Sequence, residues 1–285
     1  MQLSLTLGRR LWLLGCIVMV AFVFVSIISG LVGARVGLTS ATARILTVVQ
    51  DVVVFILPAV ATAMLVTRRP ATLLAIDRKP RLGFTLLAIA TLIVAVPAMN
   101  AVIALNEAMP LPDAMADSLL AMEAQADAMI AMLVGPHTVP NLIVGILIVG
   151  VFAGLSEEIL FRGAFQRLLS TGGLSAHAAI WTAAAVFSLV HMEILGFLPR
   201  MLLGAYFGYA LVWGRSLWTP VILHAVNNSL YVAASWAGLA AIDTLGADPA
   251  TPSSWLWLAA SVILTALGLL TLRHMSAKHH NLRNP

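Results

Sequence analysis

Long apolar stretches alternate with short polar links along the chain, and this pattern predicts transmembrane helices. A helix that crosses a bilayer needs about 20 predominantly apolar residues, and about eight stretches approach that length. They centre on residues 11–32, 46–67, 83–105, 139–168, 175–192, 198–214, 217–236 and 254–273. Neither a linker nor an internal repeat divides them. The pattern therefore predicts an all-α, polytopic transmembrane helix bundle of about eight spans.

The composition supports a membrane protein. Of the 285 residues, 61% are hydrophobic and 10% are charged, whereas soluble domains carry about 25% charged residues. The first apolar stretch is longer than the apolar part of a cleavable signal peptide, so we expect a retained membrane anchor. The single cysteine, Cys16, lies inside that stretch and has no partner for a disulfide within the chain.

Lysine and arginine residues predict the orientation in the membrane. They precede the first span, fill the link between the second and third spans, and follow the last span: Arg9, Arg10, Arg68, Arg69, Arg78, Lys79, Arg81, Arg273, Lys278 and Arg283. Residues 106–140 contain no lysine or arginine, and the link before the last span carries only Asp243 and Asp248. By the positive-inside rule both termini are expected on the cytoplasmic side of the membrane. The expected location is a bacterial inner (plasma) membrane. The net charge of +4 thus reflects topology, and nucleic-acid binding is not expected.

The acidic segment between the third and fourth spans predicts an amphipathic helix. Leucine and methionine recur at intervals of three and four residues between its acids and alanines. The segment is too polar to span a bilayer, so we expect it to lie on the outer surface and cover the bundle. A methionine-rich groove that recruits a partner is the alternative interpretation.

Two adjacent glutamates, Glu157 and Glu158, lie near the end of the fourth apolar stretch. An ionised carboxylate in the bilayer centre costs roughly 3 kcal/mol on insertion scales. Two neighbouring carboxylates also repel each other unless a cation compensates them. Arg162 follows Glu158 by one helical turn, where it can compensate the charge. We expect a chain that retains this cost inside a span to use it for function.

Three further polar residues interrupt the later spans. His191 ends the fifth span, and His224 and Asn228 lie one turn apart on the seventh, on one helical face. Polar residues inside a membrane rarely face lipid and usually turn towards each other or towards water. We therefore expect these three side chains to converge with the glutamates and the arginine on a central polar cavity.

These residue types predict hydrolysis of a peptide or amide by water. A buried carboxylate acts as a general base on water, a neutral imidazole orients that water, and a His–Asn pair offers donors for an oxyanion. The sequence shows no serine nucleophile motif and no HExxH motif, and no cofactor is expected. Zinc is the alternative, because carboxylates and imidazoles are also zinc ligands.

Two functions without proteolysis stay open at this point. One is a catalytically silent immunity or scaffold protein that binds through the same cavity. The other is a transporter that uses the buried carboxylates as a proton relay. Transport predicts proton-coupled flux without a cleaved product.

Three motifs in chain order resemble those of the CPBP family, which comprises CAAX proteases, bacteriocin-processing enzymes and abortive-infection proteins. The family pattern is EExxxR, then FxxxH, then HxxxN. This chain matches it at every motif position with Glu157, Glu158 and Arg162, then Phe187 and His191, then His224 and Asn228. The resemblance covers roughly residues 140–235.

The resemblance implies an intramembrane glutamate endopeptidase that acts on a membrane-associated protein or peptide. It assigns the general base to Glu157, the water-holding histidine to His191, and the oxyanion donors to His224 and Asn228. It also assigns Glu158 and Arg162 to the organisation of the site. Eukaryotic members cleave prenylated substrates, but nothing in this alanine-rich, bacterial-looking sequence indicates prenyl recognition, so we expect a substrate without a prenyl group.

The same reasoning divides the chain into three parts. Residues 1–138 hold the N-terminal spans and the acidic segment, 139–236 the CPBP-like catalytic core, and 237–285 the last span and a basic cytoplasmic tail.

Straight helices counted from residue 139 place Glu157 and His191 at different depths. We therefore expect a short helix and a buried turn between 192 and 200, beside a water-filled cavity open to the cytoplasm. Gly204, Ala205 and Gly208 predict tight packing of the sixth span.

Overall fold

The computed structural model describes residues 5–109, 113–238 and 252–281, and all regular structure in these ranges is helical. The helices are α1 (Leu7–Val36), α2 (Ser40–Val66), α3 (Pro70–Leu73), α4 (Leu82–Val94), α5 (Val96–Glu107), α6 (Asp113–Val134), α7 (Val139–Thr171), α8 (Ala176–Leu189), α9 (Phe197–Gly214), α10 (Trp218–Trp236) and α11 (Pro252–Asn281). The prediction of an all-α membrane bundle is confirmed.

Four helices in the described ranges are long and apolar enough to cross a membrane, and the bent pair α4–α5 makes a fifth candidate. The four are α1, α2, α7 and the Trp255–Ala277 part of α11. The predicted count of eight spans is not confirmed, although all eight apolar stretches are helical. Helix α8, for example, has 14 residues, which at 1.5 Å per residue reach about 21 Å and fall short of a hydrocarbon core of about 30 Å.

A bend of 48° separates α4 from α5, and a proline and a contact from α11 account for it. Pro97 has no backbone N–H and crowds the preceding turn. In addition, the Ser261 hydroxyl of α11 donates to the Val94 carbonyl at 2.6 Å and accepts from the Ala98 N–H at 3.1 Å. Ser261 therefore occupies the place of one α-helical hydrogen bond, and the bend points α5 towards the loop between α8 and α9.

Helices α2 and α7 contain widened, π-helical turns. They cover Asp51–Ile56 in α2, and Ile146–Phe152 and Ile159–Gln166 in α7. The α-helical turn Ala153–Glu158, which carries both glutamates, lies between the two π-helical segments of α7. Such π-turns are rare and occur frequently at functional sites.

The acidic segment forms the predicted helix, α6, and packs against the bundle. The Arg44 guanidinium of α2 donates to the carbonyls of Leu133 and Val134 at 2.8 and 2.7 Å, which ties down the C-terminal end of α6. The pKa of Glu123 on this helix is raised, mainly by partial burial and to a smaller extent by the negative charges of neighbouring acidic residues. These contacts support the covering interpretation.

Some predicted features fall outside the described residues. Residues 110–112, the link with Asp243 and Asp248, and Arg283 at the predicted basic tail are among them, as is the side chain of Lys278. The proposed division of the chain at 138 and 236 is likewise untested and stays a prediction.

Candidate active site

A buried network joins three of the predicted site residues. The Arg162 guanidinium donates to the Glu158 Oε1 at 2.7 Å, and His224 Nδ1 lies 2.9 Å from the same oxygen. The side chains of Glu158 and Arg162 are 0% exposed. Because the pair is spaced i, i+4 on α7, the local helix alone brings its charges together. His224 adds a contact from α10.

Helix α9 completes the surroundings of Arg162. The Arg162 guanidinium donates to the Gly204 carbonyl at 3.0 Å. It also lies 4.4 Å from the centre of the Phe187 ring on α8, a distance typical of cation–π contacts. A Cβ atom at position 204 would lie 2.9 Å from the guanidinium. A side chain at this position would crowd the guanidinium, so the small-residue face of α9 leaves room for the buried arginine.

Glu157 is placed differently from its neighbour. Its side chain is 15% exposed, and its Oε2 lies 3.7 Å from His224 Nε2. That distance is too long for a direct hydrogen bond. Glu157 therefore keeps a carboxylate free to contact a water molecule, whereas Glu158 is held by Arg162 and His224.

Phe187 connects His191 to the other site residues. His191 Nδ1 lies 2.7 Å from the Phe187 carbonyl oxygen, and since a carbonyl only accepts, the Nδ1–H donates and a neutral ring leaves Nε2 as an acceptor. The Phe187 ring packs edge-on against His191 and His224, with centroids at 4.9 and 5.9 Å. The charge of Glu157 also acts on His191. The motif FxxxH thus places an aromatic ring at the centre of the site.

A count of residues from the turn between α7 and α8 removes the expected difference in depth between Glu157 and His191. Both are measured from the same turn, since α7 ends at Thr171 and α8 begins at Ala176. At 1.5 Å per residue Glu157 lies about 21 Å from that turn and His191 about 22 Å. The predicted short helix between 192 and 200 is wrong, because a turn leads directly into α9 at Phe197.

Asn228 lies one turn after His224, but its side-chain amide contacts another part of α7. It donates to the Val149 carbonyl at 3.2 Å and accepts from the Asn227 amide at 3.2 Å. Among the described contacts, none joins Asn228 to either glutamate. The structure therefore brings Glu157, Glu158, Arg162, His191 and His224 around Phe187, with Asn228 on the adjoining turn of α10.

Comparison with protein families gives a match that covers this site. Residues 139–230 match the family described as Rce1-like, type II CAAX prenyl endopeptidase. This matched segment is named the Rce1-like domain after that family. The match confirms the resemblance to the CPBP family over the segment that carries all three motifs. No curated protein and no solved structure matches the chain.

At the family level, the Rce1-like match supports an intramembrane endopeptidase that acts on a protein or peptide within a lipid environment. Together with the long apolar helices, it identifies the chain as an integral membrane protein. The Rce1-like domain begins with α7 and ends within α10, so α1 to α6 and α11 lie outside the matched segment.

Two glycines bring α10 of the Rce1-like domain close to α7. A Cβ at position 154 would lie 3.1 Å from the Ala225 backbone nitrogen, and a Cβ at position 150 would clash with the Ser229 hydroxyl. Glycines spaced i, i+4 allow close approach of helix backbones in membranes. The GxxxG spacing of Gly150 and Gly154 was the signal in the sequence, and its consequence is the short distance between His224 and Glu158.

The Gly154→Val variant is expected to lower the apparent Tm of the detergent-solubilised protein, because overpacking typically costs about 1–3 kcal/mol. Gly30→Val on α1 is the matched control, since nothing lies within 4 Å of a Cβ there. Equal Tm values for the two variants would show that the contact between α7 and α10 is not tight.

A buried carboxylate that the sequence analysis did not single out also faces the Rce1-like domain. Asp51 on α2 is 3% exposed, and its side chain interacts with Ser156 and with the charge of Glu157. One of its oxygens, Oδ2, has no hydrogen-bond partner. An aspartate inside an apolar stretch itself indicates a functional site. The position of Asp51 within the second apolar stretch was therefore a usable signal.

The ligand set for a metal is incomplete in the described residues. No group of three or more histidine, cysteine, aspartate or glutamate side chains there is arranged to hold a metal ion. In particular, Glu158 Oε1 is already engaged by Arg162 and His224. The expectation of catalysis without a cofactor stays a prediction.

Proposed function

We propose that the chain is an intramembrane endopeptidase in which Glu157 activates the water that hydrolyses a peptide bond. The unequal environments of the two glutamates carry this proposal. Glu158 is 0% exposed and paired with Arg162, whereas Glu157 is 15% exposed and without a direct partner at hydrogen-bond distance. A general base needs a free carboxylate within reach of water, and Glu157 meets that requirement.

His191 supplies the second contact to the water. With Nδ1–H donated to the Phe187 carbonyl, the neutral ring presents Nε2 as an acceptor. The water then donates one hydrogen to Glu157 and the other to His191, which leaves an oxygen lone pair for the substrate carbonyl carbon. As the C–O bond forms, the water proton passes to Glu157.

His224 and Asn228 are proposed to stabilise the oxyanion. His224 Nδ1 lies 2.9 Å from Glu158 and its Nε2 lies 3.7 Å from Glu157, so Nε2 is the ring nitrogen that faces the reacting groups and is proposed to donate to the oxyanion when it carries a proton. The Asn228 amide carries a further N–H beyond the one donated to Val149. When the tetrahedral intermediate collapses, the C–N bond breaks and the proton held by Glu157 passes to the leaving amine.

The proposed substrate is a membrane-associated protein or peptide without a prenyl group. The proposed setting is the bacterial inner membrane, with both termini in the cytoplasm and the cavity open to that side. The basic links between spans support this orientation by the positive-inside rule.

Quantitative proteomics of membranes tests the proposal. Cells with the wild-type protein are compared with cells carrying Glu157→Gln at equal abundance, and new peptide termini are scored. Termini that depend on the wild type support proteolysis and identify the substrate. Their absence contradicts proteolysis and favours binding by a silent scaffold, while proton-coupled flux without termini favours transport. Loss of the termini on treatment with a chelator would replace the proposed water-only mechanism with a zinc mechanism.

A further inference from the structure

The loop between α8 and α9, residues 190–196, carries His191 and lacks regular structure. Met192, directly after His191, has a left-handed backbone with φ of 59°. A non-glycine residue persists in that region only when its surroundings hold it there. The contacts that fix this loop therefore also fix the backbone on which His191 is mounted.

Asn106, near the C-terminal end of α5, makes three hydrogen bonds to this loop and the residues that follow it. Its Nδ2 donates to the carbonyls of Ile194, at 3.1 Å, and of Leu195. Its Oδ1 accepts from the Leu198 N–H at 3.1 Å. The residue is 1% exposed, and both amide hydrogens and the carbonyl oxygen are engaged with one segment nearly a hundred positions away in the chain.

The three bonds give partners to backbone groups in the first turn of α9 and in the turn that precedes it. The Leu198 N–H lies in the first turn of α9, where no carbonyl within the helix is available. The Ile194 and Leu195 carbonyls belong to a turn, and non-helical backbone at membrane depth is tolerated only where protein or water satisfies it. Asn106 therefore acts as a cap for α9 and a partner for the turn at the same time.

Two local contacts close the same loop. The Ser188 hydroxyl donates to the Phe197 carbonyl at 2.7 Å, and Arg200 pairs with Glu193. Both join residues within the α8–α9 hairpin. Asn106 differs because it ties the hairpin to α5, which the bend at Pro97 and Ser261 directs towards it.

We propose that Asn106 is a positioning residue that holds the 190–196 loop, and with it His191, in register with Glu157. The proposal rests on the proposed function insofar as His191 contacts the reacting water. A misplacement of about 1 Å in a catalytic group lowers a rate by about 10²-fold, so the effect on turnover is expected to be large although Asn106 does not touch the site.

The test compares Asn106→Ala with Ser261→Ala in the full-length protein. Each substitution removes buried hydrogen bonds of the bent pair α4–α5, but Ser261 has no described contact with the loop. Pro97 lacks a backbone N–H and is expected to keep the bend in Ser261→Ala. Asn106→Ala is expected to lower kcat by about 10²-fold with KM nearly unchanged, on the substrate identified by its new termini. Ser261→Ala is expected to keep kcat. Equal losses of kcat in the two variants would reduce Asn106 to a structural role and overturn the proposal.

Hydrogen exchange supplies a readout that does not depend on cleavage. Asn106→Ala is expected to speed exchange of the loop amides at 191–196 relative to those of α10, and Ser261→Ala is not. Unchanged loop exchange overturns the positioning role. If neither the wild type nor Glu157→Gln yields any cleavage, the proposed function fails, and exchange alone then decides whether Asn106 holds the loop.

Discussion

The Glu157→Gln variant is expected to lose about 10²–10⁴-fold in kcat, the usual contribution of general acid–base catalysis, while keeping the stability of the wild type. Glutamine has nearly the shape of glutamate but accepts no proton from water. Since Glu157 is 15% exposed and 3.7 Å from His224 Nε2, the substitution leaves no buried charge without its partner. Turnover of the substrate in proteoliposomes and the apparent Tm in detergent measure the two parts of this prediction.

Glu123→Gln is the matched control for this experiment. Glu123 is an acidic residue on α6, outside the Rce1-like domain, and no described hydrogen bond or ion pair joins it to Glu157, Glu158 or Arg162. It is expected to retain both turnover and Tm. Wild-type turnover in Glu157→Gln would assign the role of general base to another group, and Asp51 is a candidate because it is a buried carboxylate on which the charge of Glu157 acts.

The Glu158→Gln variant, unlike Glu157→Gln, is expected to lose stability. Removing one partner of a buried ion pair typically costs about 3–5 kcal/mol, because the other charge stays buried and uncompensated. Here the remaining charge is Arg162, whose side chain is 0% exposed. Chemical denaturation in mixed micelles should therefore give a lower free energy of unfolding than for the wild type or for Glu157→Gln.

A double variant separates the charge effect from other losses. In Glu158→Gln with Arg162→Met, neither charge is present, and replacement of a whole buried pair by neutral groups is often close to neutral for stability. We expect the double variant to recover much of the stability lost in Glu158→Gln. A double variant less stable than Glu158→Gln would show that the contacts of Arg162 to Gly204 and Phe187 outweigh its pairing with Glu158.

Local features of the site could be predicted from the sequence. The i, i+4 spacing of Glu158 and Arg162 fixes their contact within one helix. The long apolar stretches predict the helices, because a helix that crosses a bilayer needs about 20 apolar residues. The number of spans is not confirmed, since segments such as α8 are apolar but short. Apolarity alone does not distinguish a helix that crosses the membrane from a helix buried within the bundle.

Contacts between distant parts of the chain could not be predicted in this way. Nothing in the sequence near Asn106 indicates that its amide meets a loop nearly a hundred residues later. The expected mismatch in depth between Glu157 and His191 had a similar origin. It was counted from the start of α7, whereas the turn between α7 and α8 sets both depths. The partners of Asp51 likewise depend on how α2 packs on α7.

The spacing of Glu158 and Arg162 also has a consequence for biogenesis. Both charges lie on one helix and meet through a contact that needs only that helix. The segment can therefore enter the bilayer as a pair whose opposite charges already offset each other, before α9 and α10 arrive with Gly204 and His224. A pair divided between two helices would expose each charge to lipid until the helices met. Charge compensation therefore depends on α7 alone, whereas the contacts with Gly204 and His224 depend on the later helices.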